Sequence, residues 1–477
     1  MTKPSFYWHD YETWGANPRI DRPAQFAGIR TDENLNIIGE PLMIYSQPTA
    51  DFLPSPEAVL ITGITPQQAF SEGVSEAEFF RQIHAEYTQP GTCIVGYNSI
   101  RFDEEVTRFG FYRNFIDPYA YSWQNSNSRW DVLDLMRITH ALRPEGINWP
   151  LNDQGLPSFK LTDLTAANNI EQVGAHDALV DVKATIAMAK LVKQQQPKLF
   201  DFYFDLRNKN RVAAMLKTDK PQIVLHVSGM FPSDQGCLAP VLPLMVHPVN
   251  KNEVICYNLR VSPEPMLQLS AEQIHQKLYT RTLDLAEGEE RIPLKGISLN
   301  KSPALAPVKT LTAELAEKWG INWDVINHHY QMLIANSSIK SVLNDVYSKQ
   351  ATFDEVDADS GLYAGFISQQ DRLLCNQLLA ASAEQLAEWD SQSFSDERLN
   401  VLLFRYRARN HPQTLNESDL IKWQRFCQAR IIDGDFGSGL TLEQFQQQLL
   451  TLSQQHEGAR EQDLLNELSS YAQALLG

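Results

Sequence analysis

Acidic side chains and one histidine recur along the N-terminal part of the chain in an order that could build a hydrolytic centre. Asp10 and Glu12 are two positions apart in the segment Ser5–Thr13, whose sequence predicts a strand. Side chains two apart on a strand project from the same face of a sheet, so we expect the two carboxylates to converge. Because converging carboxylates are unfavourable inside a protein without a neutralising cation, the pair indicates a cation site.

A second acid, Asp103, belongs to the pattern N-x-x-x-F-D that begins at Asn98. The pattern follows a short apolar run that predicts a buried strand, and it opens a predicted helix near Phe102. This order places Asp103 at the end of the strand, beside the sheet face that carries Asp10. Taken alone, the same acid could equally do no more than cap the helix.

The third pattern, H-D-A-L-V-D, spans His176 to Asp181. Asp177 is typical of an N-cap and predicts a helix that starts there and runs to about Val192. His176 then lies on the preceding loop, and Asp181 lies about one turn inside the helix, where it can face the sheet. Most histidines are structural, but this one accompanies an aspartate with no cationic partner in the same turn.

Four carboxylates and one imidazole suit phosphodiester hydrolysis by two metal ions. Carboxylate oxygens are the ligands that Mg²⁺ and Mn²⁺ prefer. One ion activates a water molecule as the nucleophile, and the second stabilises charge on the leaving oxygen. An imidazole ordinarily titrates near physiological pH, so His176 can accept the proton of that water as a general base.

The elements that position these residues predict three domains in the 477-residue chain. Strand and helix patterns alternate over residues 1–197, which predicts an α/β domain with a mixed sheet. Short β-type runs separated by proline, glycine and asparagine predict a small, partly open β-barrel with added helices over residues 198–350. Helical spacing of leucine, alanine, glutamine and glutamate predicts an α-helical domain over residues 351–477, preceded by an acidic linker near residues 353–361.

The composition limits the class of protein. Asp and Glu number 58 against 41 Lys and Arg, a net charge of −17, which argues against a polyanionic partner unless the charge is segregated. Five cysteines with no C-x-x-C pattern indicate neither a disulfide framework nor a zinc knuckle. No apolar run approaches the ~18 residues of a membrane span, and acids at Asp10 and Glu12 argue against a signal peptide, so we expect a cytoplasmic protein.

Residues 101–143 combine six arginines with nine aromatic residues. Arginine interleaved with aromatics suits a groove for single-stranded nucleic acid, because bases stack on rings and phosphates pair with guanidinium groups. Most of these aromatics could instead belong to the core, with the arginines on a solvated face.

In their order and residue types, the three patterns resemble the motifs of the DEDDh 3′→5′ exonucleases, whose fold is ribonuclease-H-like. The segment Ile61–Pro66 is similar to the Gly-Ile-Thr turn that this superfamily has between its first and second motifs. Four further segments resemble the bacterial exonuclease I family and extend the similarity through all three regions: Phe102–Arg108, Arg143–Trp149, His226–Phe231 and Arg405–Asn410.

The resemblance implies roles for the acidic set. Asp10, Glu12 and Asp181 would ligate metal, Asp103 would support the second ion partly through water, and His176 would be the general base. It implies a ribonuclease-H-like exonuclease domain, a Src-homology-3-like β-barrel and a helical domain around single-stranded DNA. The implied reaction is processive 3′→5′ release of 5′-mononucleotides with two Mg²⁺ ions, for which Mn²⁺ could substitute, in DNA repair and recombination. An exonuclease acting on RNA ends is the alternative, since the catalytic motifs do not read the 2′ position.

Contacts outside the acidic set follow from the same resemblance. We expect the protein to be a monomer. We also expect it to bind the acidic C-terminal tail of single-stranded-DNA-binding protein, with Arg143 as the anchor. Lys160 would touch the substrate as a point charge, where the family usually has the bidentate arginine. The other residues expected to contact the strand are Glu12, Arg108, Tyr119, Trp123 and Arg137.

Overall fold

The computed structural model describes residues 4–172, 174, 176–281, 284–285, 291–348, 356–389 and 393–476. In chain order the strands are β1 (Ser5–Thr13), β2 (Pro23–Thr31), β3 (Leu42–Tyr45), β4 (Thr92–Gly96), β5 (Ser128–Asp131), β6 (Val224–Val227), β7 (Leu238–Val246), β8 (Glu253–Asn258), β9 (Leu294–Ser298) and β10 (Ala304–Pro307). The α-helices are α1 (Pro56–Thr62), α2 (Pro66–Glu72), α3 (Glu76–Tyr87), α4 (Asp103–Arg113), α5 (Val132–Leu142), α6 (Leu161–Ala167), α7 (Ala178–Gln195), α8 (Pro197–Asp205), α9 (Lys209–Met215), α10 (Glu264–Leu267), α11 (Ala271–Tyr279), α12 (Ala313–Lys318), α13 (Trp323–Ala335), α14 (Ile339–Ser348), α15 (Gln369–Ala380), α16 (Ala383–Ala387), α17 (Glu397–Asn410), α18 (Glu417–Gln428), α19 (Leu442–Gln455) and α20 (Ala459–Leu476).

The chain forms two compact units. The first contains Met1–Ser128, Gln172–Lys183 and Phe353–Gly477, and the second contains Arg129–Glu171 and Ala184–Thr352. The C-terminal helices α15–α20 therefore belong to the same unit as strands β1–β4. The predicted domain boundary at 350/351 lies outside the described residues.

The sheet of the first unit is mixed, as the alternating pattern predicts. Strand β1 runs antiparallel to β2 and parallel to β4, and β2 is also antiparallel to β3. The register pairs Asp10 with Ala27 and Glu12 with Gln25, and it is interrupted between Glu12 and Thr13. The sheet thus presents both acids at the end of the regular β1–β2 ladder.

The two faces of β1 have different surroundings. Tyr7 and Tyr11 belong to a buried aromatic cluster with Phe26, Phe79 and Phe80, and most of its other members come from helices α3 and α4. Because side chains alternate along a strand, Asp10 and Glu12 project from the opposite face. Burial of the aromatic face fixes which way the acidic face points, since a slip of one residue would exchange the two faces.

A buried ion cluster joins the helices at the C-terminal end of the chain to the N-terminal residues of the same unit. Asp359 lies 2.6 Å from Arg409 and 2.7 Å from Arg430, and Asp51 lies 2.7 Å from Arg409. Burial alone would raise the pKa of Asp359, but the nearby arginines outweigh it and hold that pKa well below its usual value. The members of this cluster are Arg22, Asp51, Glu76, Arg113, Asp357, Asp359, Arg405, Arg409 and Arg430.

The prediction of an acidic linker is wrong for residues 356–361, the part of the segment that the structure describes. Residues 353–355 lie outside the described residues, but Ala358–Tyr363 form a 3₁₀ helix. Asp359 is only 2% exposed, and Asp357 pairs with Arg405 at 2.6 Å. Asp357 and Asp359 are therefore paired with arginines from distant segments.

The second unit contains a five-stranded antiparallel sheet in the order β10-β6-β7-β8-β9. The sequence predicts β-type runs at Val224–Phe231, Val241–Val246, Val254–Leu259 and Leu294–Leu299, which overlap β6, β7, β8 and β9, but it predicts no strand at β10. Trp130 packs against Phe200 and Tyr203 in the core of this unit. Among the described helices, none combines the length and the hydropathy that a membrane span requires.

Candidate active site

Asp103 is the first residue of α4, directly after the turn that leaves β4. Asn98 allows this turn because it adopts a left-handed conformation, with φ of 61°, that asparagine tolerates better than most residues. Asp103 is 4% exposed, and its Oδ1 accepts a hydrogen bond from the backbone N–H of Tyr11 at 3.2 Å. Phe102 takes the N-cap position, so Asp103 is directed at β1 rather than serving as the cap of its helix.

The start of α7 supplies the histidine and the fourth acid. Asp177 caps the helix, since its Oδ1 accepts hydrogen bonds from the backbone N–H groups of Leu179 at 3.0 Å and Val180 at 3.2 Å. His176 is exposed and has a φ of 71°, a conformation that costs a non-glycine residue roughly 1–2 kcal/mol. Its backbone N–H donates to Oδ2 of Asp181 at 3.4 Å. The histidine and this acid are therefore held in one turn of chain.

The three sequence patterns meet in space. One carboxylate oxygen from each of Glu12 and Asp181 and one ring nitrogen of His176 lie within 4.8 Å of one another. Asp10 interacts electrostatically with Asp103, Glu12 and Asp181, so it belongs to the same group. Side chains from β1, α4 and the start of α7 thus form one carboxylate cluster, which we call the acidic site.

The acids of this site destabilise one another's charged forms. Burial raises the pKa of Asp10 well above its ordinary value, and repulsion by Asp103, Glu12 and Asp181 raises it further. Burial raises the pKa of Glu12 to about 8, with Asp181 as the largest repulsive neighbour. Burial also raises the pKa of Asp181, although the hydrogen bond from Gln172 opposes it.

This donor set fits hard divalent cations. Within the described part of the chain, no lysine or arginine forms an ion pair with Asp10, Glu12 or Asp181. A bound cation would relieve the repulsion that raises these pKa values, and carboxylate oxygens are the ligands Mg²⁺ and Mn²⁺ prefer. The arrangement is therefore suited to hold metal ions rather than to form internal ion pairs.

The predicted strand contacts of the first unit have mixed surroundings. Arg108 is 8% exposed and pairs with Glu104 at 2.6 Å and Glu105 at 3.1 Å. Its guanidinium group lies 5.3 Å from the ring centroid of Tyr119. Trp123 is 65% exposed and is available to a ligand.

The other predicted contacts lie in the second unit. Lys160 is exposed immediately before α6. Arg137 pairs with Asp134 at 2.9 Å. A guanidinium nitrogen of Arg143 donates to the carbonyl oxygen of Thr310 at 2.8 Å and to that of Leu142.

Two glutamines of the acidic site were not predicted. Nε2 of Gln172 donates to Oδ1 of Asp181 at 2.7 Å. Oε1 of Gln25 accepts a hydrogen bond from the backbone N–H of Ala178 at 3.1 Å. Neither belongs to a charged pattern, and the only signal for Gln25 is its position opposite Glu12 in the β1–β2 register.

Comparison with known families matches three successive segments of the chain. Residues 7–189 match an exonuclease family, residues 207–349 match the exonuclease I SH3-like domain, and residues 356–475 match the exonuclease I C-terminal domain. Together with the acidic site, these matches define a DEDDh exonuclease with a ribonuclease-H-like nuclease domain. The predicted fold class is thereby confirmed.

The chain belongs to the exodeoxyribonuclease I family, as its motifs indicated. It is 45% identical to exodeoxyribonuclease I of Haemophilus influenzae over 476 residues, which cover 99% of each chain. A crystal structure of E. coli exonuclease I in complex with a dA16 oligonucleotide is similar with a TM-score of 0.95 and 45% identity, over 99% of this chain and 100% of that one. The zinc-bound form of the E. coli enzyme with single-stranded DNA has a TM-score of 0.94 and 44% identity, over the whole of both chains.

Proposed function

We propose that this chain degrades single-stranded DNA processively from the 3′ end and releases 5′-mononucleotides by hydrolysis with two divalent metal ions. The observation that carries the proposal is the approach of Glu12, His176 and Asp181 to within 4.8 Å of one another. The E. coli relative has been solved with a dA16 oligonucleotide and with zinc, which supports a single strand as the substrate and a divalent ion as the cofactor.

The acidic site has distinct roles for its residues. Asp10, Glu12 and Asp181 would hold the ions directly, and Asp103 would support the second ion. When bound, the two ions, Mg²⁺ with Mn²⁺ as a substitute, supply an activated water and stabilise charge on the leaving oxygen. The hydrogen bond from Tyr11 fixes the carboxylate of Asp103, and the hydrogen bond from Gln172 fixes that of Asp181.

His176 acts as the general base in this proposal. Its ring nitrogen lies beside Glu12 and Asp181, where the attacking water must sit. Because the residue is exposed, the proton that it accepts can pass to solvent after each turnover. The hydrogen bond from its backbone N–H to Asp181 keeps the base next to a proposed metal ligand.

An aromatic surface of the first unit supports binding of a single strand. A cavity of about 540 Å³ is lined by Tyr119, Tyr363, Phe366 and Arg372 among others. Phe366 is 99% exposed. Exposed rings beside an arginine suit stacked bases and their phosphates. The surface also adjoins α4, since Tyr363 donates a hydrogen bond to Glu105 at 2.7 Å.

The remaining roles rest on membership of the family. We infer that Arg108, Tyr119, Trp123, Arg137 and Lys160 contact the strand and that Arg143 anchors the acidic tail of single-stranded-DNA-binding protein. We further infer that the enzyme is a cytoplasmic monomer that acts in DNA repair and recombination.

A comparison of end-labelled single-stranded DNA, duplex DNA and RNA, each with Mg²⁺ and with chelator, tests the proposal. We expect 5′-labelled single-stranded DNA to shorten from its 3′ end with Mg²⁺ and to survive in chelator. An Asp181→Asn preparation made in parallel controls for contaminating nucleases. Equal degradation of RNA would favour the alternative substrate, and hydrolysis in chelator would overturn the role of the metal ions.

A further inference from the structure

The first turn of α7 depends on a side chain outside the helix. A helix N-terminus leaves backbone N–H groups without partners in the helix. Asp177 accepts hydrogen bonds from Leu179 and Val180, but the N–H of Ala178 donates to Oε1 of Gln25 instead, at 3.1 Å. Gln25 is 1% exposed and Ala178 is fully buried, so water cannot replace this bond.

Gln25 lies in a row of side chains that crosses three strands. It is paired with Glu12 on β1 and with Tyr45 on β3. Directly paired residues of antiparallel strands project from the same face, about 5 Å apart at their Cβ atoms. Gln25 is therefore a neighbour of Glu12 on the acidic face, and its side chain also reaches the start of α7.

The segment before α7 requires a contact from another element of the fold to fix its position. His176 adopts a φ of 71°, a left-handed backbone conformation that is uncommon for residues other than glycine. The hydrogen bond from its N–H to Asp181 is long, at 3.4 Å, and it joins two residues of the same turn. It therefore cannot place that turn relative to β1, whereas the Gln25–Ala178 bond joins the turn to the strand next to Glu12.

We propose that Gln25 is a positioning residue, which sets the distance of His176 and Asp181 from Glu12 through the N–H of Ala178. The inference rests on the proposed function of the acidic site. Gln25 contacts none of the reacting atoms in this proposal. Its loss should disturb catalysis because a displacement of about 1 Å in a reacting geometry can cost ~100-fold in rate.

Gln25→Met tests the proposal, because methionine has nearly the same volume but no oxygen acceptor. We expect kcat on single-stranded DNA with Mg²⁺ to fall by ~10-fold or more while KM changes by less than ~3-fold. We also expect weaker binding of Mn²⁺ alone, measured by electron paramagnetic resonance, since Asp181 moves away from Glu12.

Thr31→Val is the matched control. It lies on the same strand and removes another buried hydrogen bond, the one that Thr31 accepts from Nε1 of Trp8 at 2.8 Å. If Gln25 only stabilises the fold, both variants should lower the melting temperature, and neither should change kcat or the affinity for Mn²⁺. Unchanged kcat in a folded Gln25→Met enzyme would overturn the proposal.

A second variant keeps the test decisive if Gln25→Met does not yield folded protein. Gln25→Asn retains the amide but shortens the side chain by one methylene group, which withdraws the oxygen from Ala178. We expect the same fall in kcat, and wild-type kcat in this variant would contradict the proposal. Failure of the wild-type enzyme to degrade DNA would instead count against the proposed function, so the two failures are distinguishable.

Discussion

The backbone N–H of Tyr11 donates to Oδ1 of Asp103 at 3.2 Å, so the main chain of β1 holds an acid that lies 92 residues further along the sequence. Tyr11 directly follows Asp10, so this hydrogen bond links the second motif to the first. Any residue except proline could donate it from position 11. The side chain of Tyr11 packs in the aromatic cluster on the other face of the sheet. Burial of that ring therefore also secures the position of the Asp103 carboxylate.

Asp181→Asn should abolish hydrolysis and leave strand binding intact. Asparagine keeps an oxygen that can accept the hydrogen bond from Gln172, so the start of α7 should retain its position, while the charge needed for metal is lost. Metal ions stabilise the transition state by several kcal/mol, and loss of this stabilisation corresponds to a roughly 10³-fold lower rate. Nucleotide release and DNA affinity should be measured on the same preparation. Turnover equal to that of the control Asp201→Asn, an exposed position, would refute the assignment.

His176→Ala should slow turnover by ~10²–10⁴-fold, the usual contribution of a general base, without removing a metal site. The ring nitrogen lies close enough to Glu12 and Asp181 to be a ligand itself, so the experiment must separate the two roles. Titration calorimetry with Mn²⁺ does so, because a base can be lost while both sites remain. A missing site would show that His176 binds metal. His328→Ala, at an exposed position on α13, serves as the control.

Phe366→Ala should weaken binding of single-stranded DNA. Stacking of a base on an aromatic ring contributes about 1–3 kcal/mol, so we expect a roughly 5- to 150-fold higher Kd. The fold should be unaffected because the ring is 99% exposed. Fluorescence anisotropy with a labelled oligonucleotide and Ca²⁺ in place of Mg²⁺ measures the affinity. Leu450→Ala, at a 57% exposed position on α19, is the control, and equal affinity of the two variants would contradict a role of Phe366 in binding.

Asp359→Asn should lower the free energy of unfolding by about 3–5 kcal/mol at pH 7, because it leaves buried arginines without their counter-charge. The pKa of Asp359 is depressed in the folded state, so its stabilising contribution is present above the unfolded value of about 3.9 and is lost as the pH falls toward the folded value. The difference between wild type and variant should therefore shrink below about pH 4.

Urea unfolding at several pH values measures this difference. Arg81→Ala provides the comparison, since Arg81 is 67% exposed in its ion pair with Glu78 and should contribute less than about 1 kcal/mol. A constant difference between wild type and Asp359→Asn from pH 7 to pH 3 would show that the carboxylate charge is not what stabilises the cluster.

Local patterns predicted the catalytic elements well. The predicted strand Ser5–Thr13 has the same bounds as β1, because the segment is rich in aromatic residues and is bounded by Pro4 and Gly15. Asp177 was predicted as the N-cap of α7, and its two hydrogen bonds confirm it. Sequence could not reveal the contributions of Gln25 and Gln172, because these depend on register between strands and on the folded path of a loop.

Elements with weak local signals were missed. Strand β10 contains Pro307, which its edge position in the second sheet tolerates. Helix α8 begins with Pro197, a residue that favours the first turn of a helix, whereas the sequence analysis predicts a domain boundary at this position. Of the nine aromatics in residues 101–143, core packing accounts for those that are buried: Phe109, Phe111, Tyr112, Phe115, Tyr121 and Trp130.

The acidic linker failed as a prediction for a different reason. Charge density alone cannot show whether acids face water or arginines, and Arg405 and Arg409 lie about 50 residues beyond Asp359 in sequence. Their own segment, Arg405–Asn410, resembles a family motif but gives no local signal for this pairing. Long-range charge pairing is thus the part of this fold that composition conceals.

The ion cluster limits how this enzyme can be shortened by engineering. Arg113 ends the helix that Asp103 begins, and it pairs with Glu76, which Arg22 also contacts. Deleting residues 356–476 would remove Asp357, Asp359 and three arginines from this cluster, and it would leave Arg22, at 3.9 Å, as the remaining ion-pair partner of Asp51. A minimal nuclease excised from the first 197 residues would need these charges replaced by apolar side chains before it could be expected to fold.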